Sequence, residues 1–316
     1  MKILLFVSLL FLNTPCFAQG TFHWEWCRNP NSNAPDAMGI NRNGDLVIAV
    51  DNRLGISQDQ GQTWITVTLS RFTWNSIRLA FLPSGNILVL RNFNSQLEAG
   101  LGADSAELDW VTPYGKGIIP VSKLNFQNLS VNAGGAIIAV QDSNWLLESN
   151  SEGLLWDTVP TPKSWNITAG LKTASGSYLI LTQFGLFRRA AGSTDWMQSI
   201  ADTAAPYGDL QQDGGGTIYA FGSSSQIDAS TDDGATWSTV PLHWEGNLPA
   251  ASDGKGTTAF ISTNQSLELM RRDMVDTEIN AVSGRIYRDS SNNWWLAGSM
   301  LGPEGGNWSV GLFRSS

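Results

Sequence analysis

Apolar positions along this chain come in short runs behind tight turns, not in helical stripes. Asn43-Gly44-Asp45 leads into Leu46-Val47-Ile48-Ala49-Val50, and Ser84-Gly85-Asn86 into Ile87-Leu88-Val89-Leu90. The pattern returns at Gly134-Gly135, Ser175-Gly176, Gly215-Gly216, Lys255-Gly256 and Asn292-Asn293, each before a run such as Ile137-Ile138-Ala139-Val140 or Tyr178-Leu179-Ile180-Leu181. Positions 44, 85, 135, 176, 216, 256 and 293 are separated by 41, 50, 41, 40, 40 and 37 residues. Seven units of about 40 residues match the length of a four-stranded propeller blade.

Each unit predicts the same order of strands. An inner strand comes first, as at Ala37–Asn41, Ser76–Phe81 and Asn166–Leu171. The Gly-turn and apolar run follow. A third strand ends at Ser57, Ser149 or Ser230, and a fourth begins at Trp64, Trp156 or Trp237. The last unit reaches only a third strand, Val310–Ser315. Thr21–Cys27 alternates and carries Trp, so it is expected to supply the missing fourth strand and close the ring. The fold class is therefore all-β, a single seven-bladed β-propeller over residues 19–316.

Between third and fourth strands lies a second motif. Ser230-Thr231-Asp232-Asp233-Gly234-Ala235-Thr236-Trp237 and Ser57-Gln58-Asp59-Gln60-Gly61-Gln62-Thr63-Trp64 both read S-x-D-x-G-x-T-W. Ser149 to Trp156 is a worn copy. Asp bonding local backbone and Gly at positive φ make a tight turn, and the Trp covers it. Units two and four keep only a Trp at the equivalent place, Trp110 and Trp196. The motif resembles the Asp-box, or bacterial neuraminidase repeat, of sialidases and other β-propellers. That resemblance implies a propeller and places the box on the face opposite a sialidase active site.

Composition fits the pattern. Charged residues are 15%, with 32 Gly and 14 Trp, which suits Gly-turned, aromatic-packed sheets. A net charge of −9 excludes a phosphate-neutralising stripe, so no nucleic-acid partner is expected. Lys2, the apolar run Ile3–Leu12 and Cys16-Phe17-Ala18 read as a signal peptide over residues 1–18, cleaved before Gln19. The run is too short to insert as a membrane span. The chain is thus expected to be secreted or periplasmic and monomeric. A lipoprotein anchored through Cys16 is the lesser alternative, since Pro15 precedes it. The mature chain keeps only Cys27, read as a small buried residue, and has only His23 and His243, so no disulfide, metal or cofactor is expected.

Propeller ligands meet the end bearing the loops between strands two and three and the connections from one blade to the next. Those connections carry Trp74-Asn75, Trp165-Asn166 and Trp244-Glu245-Gly246-Asn247, with Asn125–Asn128 as a looser analogue. Trp faces stack on C–H-rich sugar rings and amides pair with hydroxyls, so Trp74, Asn75, Trp165, Asn166, Trp244 and Asn247 are candidate ligand residues. The same Trp residues also suit plugs between blades. Arg78 and Arg285 fall on inner strands, able to bind an anion or pair with acids. Glycoside hydrolysis needs two carboxyl groups across the scissile bond. Asp36, Asp209 and Glu245, with Glu278, lie near inner-strand starts and are the catalytic candidates.

The sialidase resemblance implies an Arg-Ile-Pro motif and a Tyr–Glu nucleophile pair. Arg28-Asn29-Pro30 matches the first only in outline, and no Glu is evident beside Tyr287. The fold is also similar to xyloglucan-cleaving enzymes, which need two propellers, and to photosystem II assembly factors, whose arginine-rich patch has no counterpart here. The sequence therefore favours an exported binding or scaffold propeller for a glycan or a secreted or cell-surface protein. The alternative is a glycoside hydrolase or lyase using axial carboxylates.

Overall fold

The computed structural model describes residues 24–27, 37–41, 43–50, 53–69, 76–92, 106–112, 118–122, 126–132, 134–162, 165–201, 207–212, 216–222, 227–240, 251–252, 257–261, 267–271, 274–279, 282–288, 294–301 and 308–315. Side-chain surroundings are described only between Ala37 and Thr239. The signal-peptide reading and Arg28–Pro30 lie outside the described residues.

Among the described residues, the strands form seven antiparallel four-stranded sheets. The first strand, β1 (Trp24–Cys27), belongs to the last of these sheets. Sheet one is β2 (Ala37–Ile40), β3 (Leu46–Val50), β4 (Arg53–Ser57) and β5 (Ile65–Thr68). Sheet two is β6 (Ser76–Phe81), β7 (Ile87–Asn92), β8 (Ala106–Val111) and β9 (Ile118–Ser122). Sheet three is β10 (Phe126–Val131), β11 (Ile137–Gln141), β12 (Trp145–Ser149) and β13 (Asp157–Val159). Sheet four is β14 (Ile167–Lys172), β15 (Tyr178–Thr182), β16 (Gly185–Arg189) and β17 (Met197–Ala201). Sheet five is β18 (Tyr207–Gln212), β19 (Ile218–Gly222), β20 (Ile227–Ser230) and β21 (Ser238–Val240). Sheet six is β22 (Ala251–Ser252), β23 (Thr257–Ile261), β24 (Leu267–Arg271) and β25 (Met274–Ile279). Sheet seven is β26 (Val282–Arg288), β27 (Trp294–Leu301) and β28 (Trp308–Ser315), with β1 beside β28 and Trp24 opposite Ser315.

The first strands of the sheets meet. β2 touches β6 and β26, β6 touches β10, β10 touches β14, β14 touches β18, and β22 touches β26. This stacking explains why the second strands are apolar without alternation. A sheet covered on both faces must bury every side chain it presents. In β11, Ile137 and Ala139 pack toward sheet two, while Ile138 and Val140 pack toward sheet four. In β15, Leu179 and Leu181 pack with sheet five and Ile180 with sheet three. The core is therefore a series of seams between sheets. Their tightness shows at Gly170 on β14, where a Cβ would lie 2.5 Å from Leu146 Cδ1 on β12.

The S-x-D-x-G-x-T-W hairpins bind themselves and then the sheet before them. In the copy of sheet five, Gly234 N–H donates to Ser230 Oγ at 2.9 Å and Thr236 N–H to Asp232 Oδ1 at 2.8 Å. Thr236 Oγ1 donates to Asp232 Oδ2 at 2.6 Å. Sheet one repeats this with Ser57, Asp59, Gly61 and Thr63. In the worn copy, Ser151 Oγ takes the place of the carboxylate and accepts Leu155 N–H at 2.8 Å.

The residue before each Gly also adopts positive φ: Gln60 (58°), Glu152 (55°) and Asp233 (63°). In two copies that residue latches onto the preceding sheet. Asp233 accepts Ser175 Oγ at 2.6 Å and pairs with Arg188 at 3.0 Å. Glu152 accepts Asn86 Nδ2 at 3.1 Å. Gly234, at φ 79°, has no room for a Cβ, which would lie 2.5 Å from Leu179 Cδ2. Trp237 and Trp156 pack into the same seams.

Three expectations are corrected. The fourth strands begin one residue after the hairpin Trp, at Ile65, Asp157 and Ser238, because the Trp is still part of the turn that it covers. Trp110 is not equivalent to those Trp residues. It lies on β8 opposite Leu88, in a third strand ahead of its hairpin, displaced by the longer second unit. Phe126 to Asn128 is not a connection but the start of β10, with Phe126 buried in the seam between sheets two and three and Asn128 also buried.

Both intact motifs predict a definite acid response. Hydrogen bonds from Thr63 and Thr236, hydroxyl first and backbone second, lower Asp59 and Asp232 from 3.8 to about 2. A depressed carboxylate pKa contributes stability above its ordinary value, and that contribution is lost as pH falls through the folded value. The melting-temperature gap between wild type and Asp232→Asn should hold steady above 3.8 and close as pH falls to about 2. A gap unchanged at the acid end would contradict this.

Candidate functional site

The innermost strands place one residue each at a shared level. In six of the described hairpins, the fourth pair counted from the Gly-turn is Ala37↔Ala49, Arg78↔Leu90, Asn128↔Val140, Ala169↔Leu181, Asp209↔Phe221 and Arg285↔Ala297. Arg78 on sheet two and Asp209 on sheet five are separated in the chain by two whole sheets. Arg78 Nη1 nevertheless lies 3.6 Å from Asp209 Oδ2, with the side chains 38% and 33% exposed. The two meet across the space that the inner strands surround. Asp209 Oδ1 also accepts the Leu210 N–H at 3.0 Å. Arg285 shares the register of Arg78 and Asp209 on its own sheet.

The end of the sheets away from the S-x-D-x-G-x-T-W hairpins carries the turns between second and third strands. In sheet three, Asp142 and Ser143 form a turn with φ of 50° and 54°. Asn144 N–H closes it onto Gln141 O at 3.1 Å. The Ser143 carbonyl accepts Ile167 N–H from sheet four at 2.7 Å. Trp145, which leaves this turn, is 50% exposed. In sheet four, Gln183 N–H donates to Asn166 O at 3.2 Å and Phe184 N–H to Thr182 Oγ1 at 3.0 Å. Phe184 is 48% exposed.

The sequence candidates divide accordingly. Arg78 and Asp209 are brought together. Trp165 is a seam plug: its ring lies 4.1 Å from that of Phe187, tilted by 38°, against the core between sheets three and four. Asn166 is exposed and holds the Gln183 turn through its carbonyl. Glu278 lies at the end of β25, the fourth strand of its sheet, four residues before the inner strand β26. Trp74, Asn75, Asp36, Trp244, Glu245 and Asn247 lie outside the described residues, as does the side chain of Arg285. Sequence reasoning missed Trp145 and Phe184. The available signal was a bulky aromatic set directly beside turn residues, where nothing in the strand pattern buries it.

A Tyr–Glu pair does exist, at the opposite end. Tyr178 Oη donates to Glu148 across the seam between sheets three and four, and Lys172 Nζ lies 2.6 Å from Glu148 Oε1. Arg189 stacks over the rings of Tyr178 and Trp196 at 4.4 and 5.2 Å. Burial, then the bond to Glu148, raises the Tyr178 pKa. Burial also pushes Glu148 up, but the Lys172 and Tyr178 hydrogen bonds outweigh it and hold the carboxyl below its ordinary value. Glu148 lies on β12 while Lys172 and Tyr178 lie on β14 and β15, so this cluster ties sheet three to sheet four. Arg91 and Asp109 in sheet two are a second ion pair, almost wholly buried, with Arg91 Nη1 also donating to Leu69 O at 3.2 Å.

Comparison with solved structures identifies the fold. YCF48 bound to a D1 peptide is 12% identical, over 95% of this chain and 96% of that one, with a TM-score of 0.63. A streptogramin B lyase is 10% identical, over 93% and 97%, at 0.61. The GH74 enzyme of Niastella koreensis is 12% identical, over 88% of this chain and 53% of that one, at 0.65. By fold the chain is a β-propeller. Identities this low carry fold alone. No protein-family model and no curated protein matches the chain.

The exposed Arg78–Asp209 pair and the buried Arg91–Asp109 pair predict mutational costs of different size. Arg78→Met or Asp209→Asn should cost less than about 1 kcal/mol, because the pair is solvated. Arg91→Met or Asp109→Asn should cost ~3–5 kcal/mol, because each strands a buried charge. Equilibrium denaturation of the four variants checks this, and equal costs for the two pairs would contradict it.

Proposed function

We propose that this chain is an exported, non-catalytic propeller that binds a glycan or a secreted or cell-surface protein at the end bearing Trp145 and Phe184 and the mouth of the axial space. One observation carries the non-catalytic reading. The axial carboxylate of Asp209 faces Arg78, and among the described residues no second carboxylate shares that level. Glycoside hydrolysis needs two carboxyl groups at separations of roughly 5–10 Å. An acid beside a guanidinium at this level suits recognition of a polar ligand. A structural neighbour bound to a peptide of another protein supports a binding role. The lyase and the GH74 enzyme are neighbours of the same fold, so hydrolysis is the reading to test against.

The architecture within this proposal is a closed ring of seven blades, residues 19–316, with β1 as the fourth strand of the last blade. The motif in blades one, three and five is the Asp-box, and residues 1–18 direct export. The pairing of β1 with β28 supports the closure.

Two outcomes are expected. Purified mature protein should turn over no neutral or acidic glycoside substrate, and Asp209→Asn should leave any background rate unchanged; turnover lost in Asp209→Asn would establish an enzyme instead. Starting the mature chain at Arg28, without β1, should lower the melting temperature by at least about 4 °C, since the edge of β28 is left bare. An unchanged melting temperature would rule out closure through β1.

A further inference from the structure

Sheets three and four present the same set of groups at the same end. Each has one exposed aromatic residue at its second-to-third-strand turn, Trp145 and Phe184. Each has an exposed amide in that turn, Asn144 and Gln183. Each has an inner-strand bulge that turns a polar residue outward. The register shift from Phe126 to Asn128 leaves Gln127 unpaired and exposed, and the shift from Ile167 to Ala169 does the same for Thr168.

We infer that this end of sheets three and four is a stacking platform for an uncharged polysaccharide. The inference rests on the binding role proposed above and names its ligand class. Aromatic faces suit the C–H surfaces of pyranose rings, and amides give both donors and acceptors to hydroxyls. The charge is right for a neutral chain. In the turns 141–145 and 182–185 and at the two bulges, Asp142 is the one charged residue. Among the described residues no cation is set there to bind phosphate, sulfate or uronate, and the chain as a whole carries −9. A set repeated on neighbouring sheets also suits a ligand that repeats, which a small molecule does not.

The platform is built before any ligand arrives. Two successive non-glycine residues at positive φ, Asp142 and Ser143, hold strain that the bond from Ile167 N–H to Ser143 O retains. Ser143 Oγ donates to Gln127 Oε1, tying the turn to the bulge. The Phe184 turn is fixed by Asn166 O and Thr182 Oγ1, and Gln198 Nε2 donates to Phe184 O at 2.8 Å. Backbones held in this way spend little entropy on binding.

Affinity electrophoresis tests the inference. Native gels are cast with a soluble β-glucan, a galactomannan or an α-glucan, and with polygalacturonate as the anionic comparison. Wild type should be retarded by at least one neutral polymer. Trp145→Ala and Phe184→Ala should each weaken retention several-fold, and the double variant by about tenfold or more, as expected for loss of two stacking rings. Both residues are half exposed, so the variants should keep the wild-type melting temperature, which is measured alongside. No retardation of wild type by any neutral polymer would overturn the inference, as would retention unaltered in the double variant. The second result would move the glycan site while leaving the binding role intact. Retention by polygalacturonate alone would contradict the uncharged ligand class.

Discussion

Among the described residues, the structure depends on the burial of a sheet on both faces by its neighbours, as sheets three and four show. A four-stranded sheet alone has too little apolar surface to fold. Stacked between two others, it sends alternate side chains of one strand into two different cores, as Ile137 and Ile138 do. Hydrophobic burial of that kind does not set register, because apolar contacts are not directional. Polar locks supply it. Asp233 and Glu152 reach from the motif of one sheet to the turn of the sheet before, and Glu148, Lys172 and Tyr178 tie sheet three to sheet four. The seams are thus apolar in their cores and fastened by polar contacts at the end that carries the motif and, between sheets three and four, at the other end too.

The same arrangement leaves the other end free of packing duties, which is where we propose the ligand site. With stability and register handled by the seams, the turns between second and third strands and the inner-strand bulges can carry residues that packing does not require. Trp145 and Phe184 are of this kind, whereas Trp165, Trp156 and Trp237 are consumed by seams. The distinction between a Trp that plugs and one that recognises is therefore whether a neighbouring sheet covers it. At the axis, Asp209 and Arg78 form an ion pair at 3.6 Å that stays partly open to solvent.

The periodic parts of the fold were legible in the sequence. Gly44, Gly85, Gly135, Gly176 and Gly216 stand at turns where positive φ is required, and the apolar runs behind them form the second strands. The inner strand Ser76–Phe81 and the third strand Ile227–Ser230 have the bounds that the pattern predicted. What was not legible depends on which sheet faces which. Trp110 and Trp165 look alike as isolated Trp residues, yet one packs into a seam from a third strand and the other from a connection between sheets. The Tyr178–Glu148 bond joins residues of adjacent sheets, and no local pattern announces it. The Arg78–Asp209 contact joins sheets two and five, so it follows only from the register of two distant hairpins.

That contact is also where the account is most exposed. A double-mutant cycle on Arg78→Met and Asp209→Asn, read by equilibrium denaturation at low and high salt, measures it directly. Facing each other across the axis, the two residues should couple by roughly 0.2–1 kcal/mol at low ionic strength. The coupling should fall toward zero in about 1 M salt, where charges a few ångströms apart and open to solvent are screened. Zero coupling at low salt would contradict the meeting of sheets two and five across the axis, and with it the reading of Asp209 as a neutralised, non-catalytic acid.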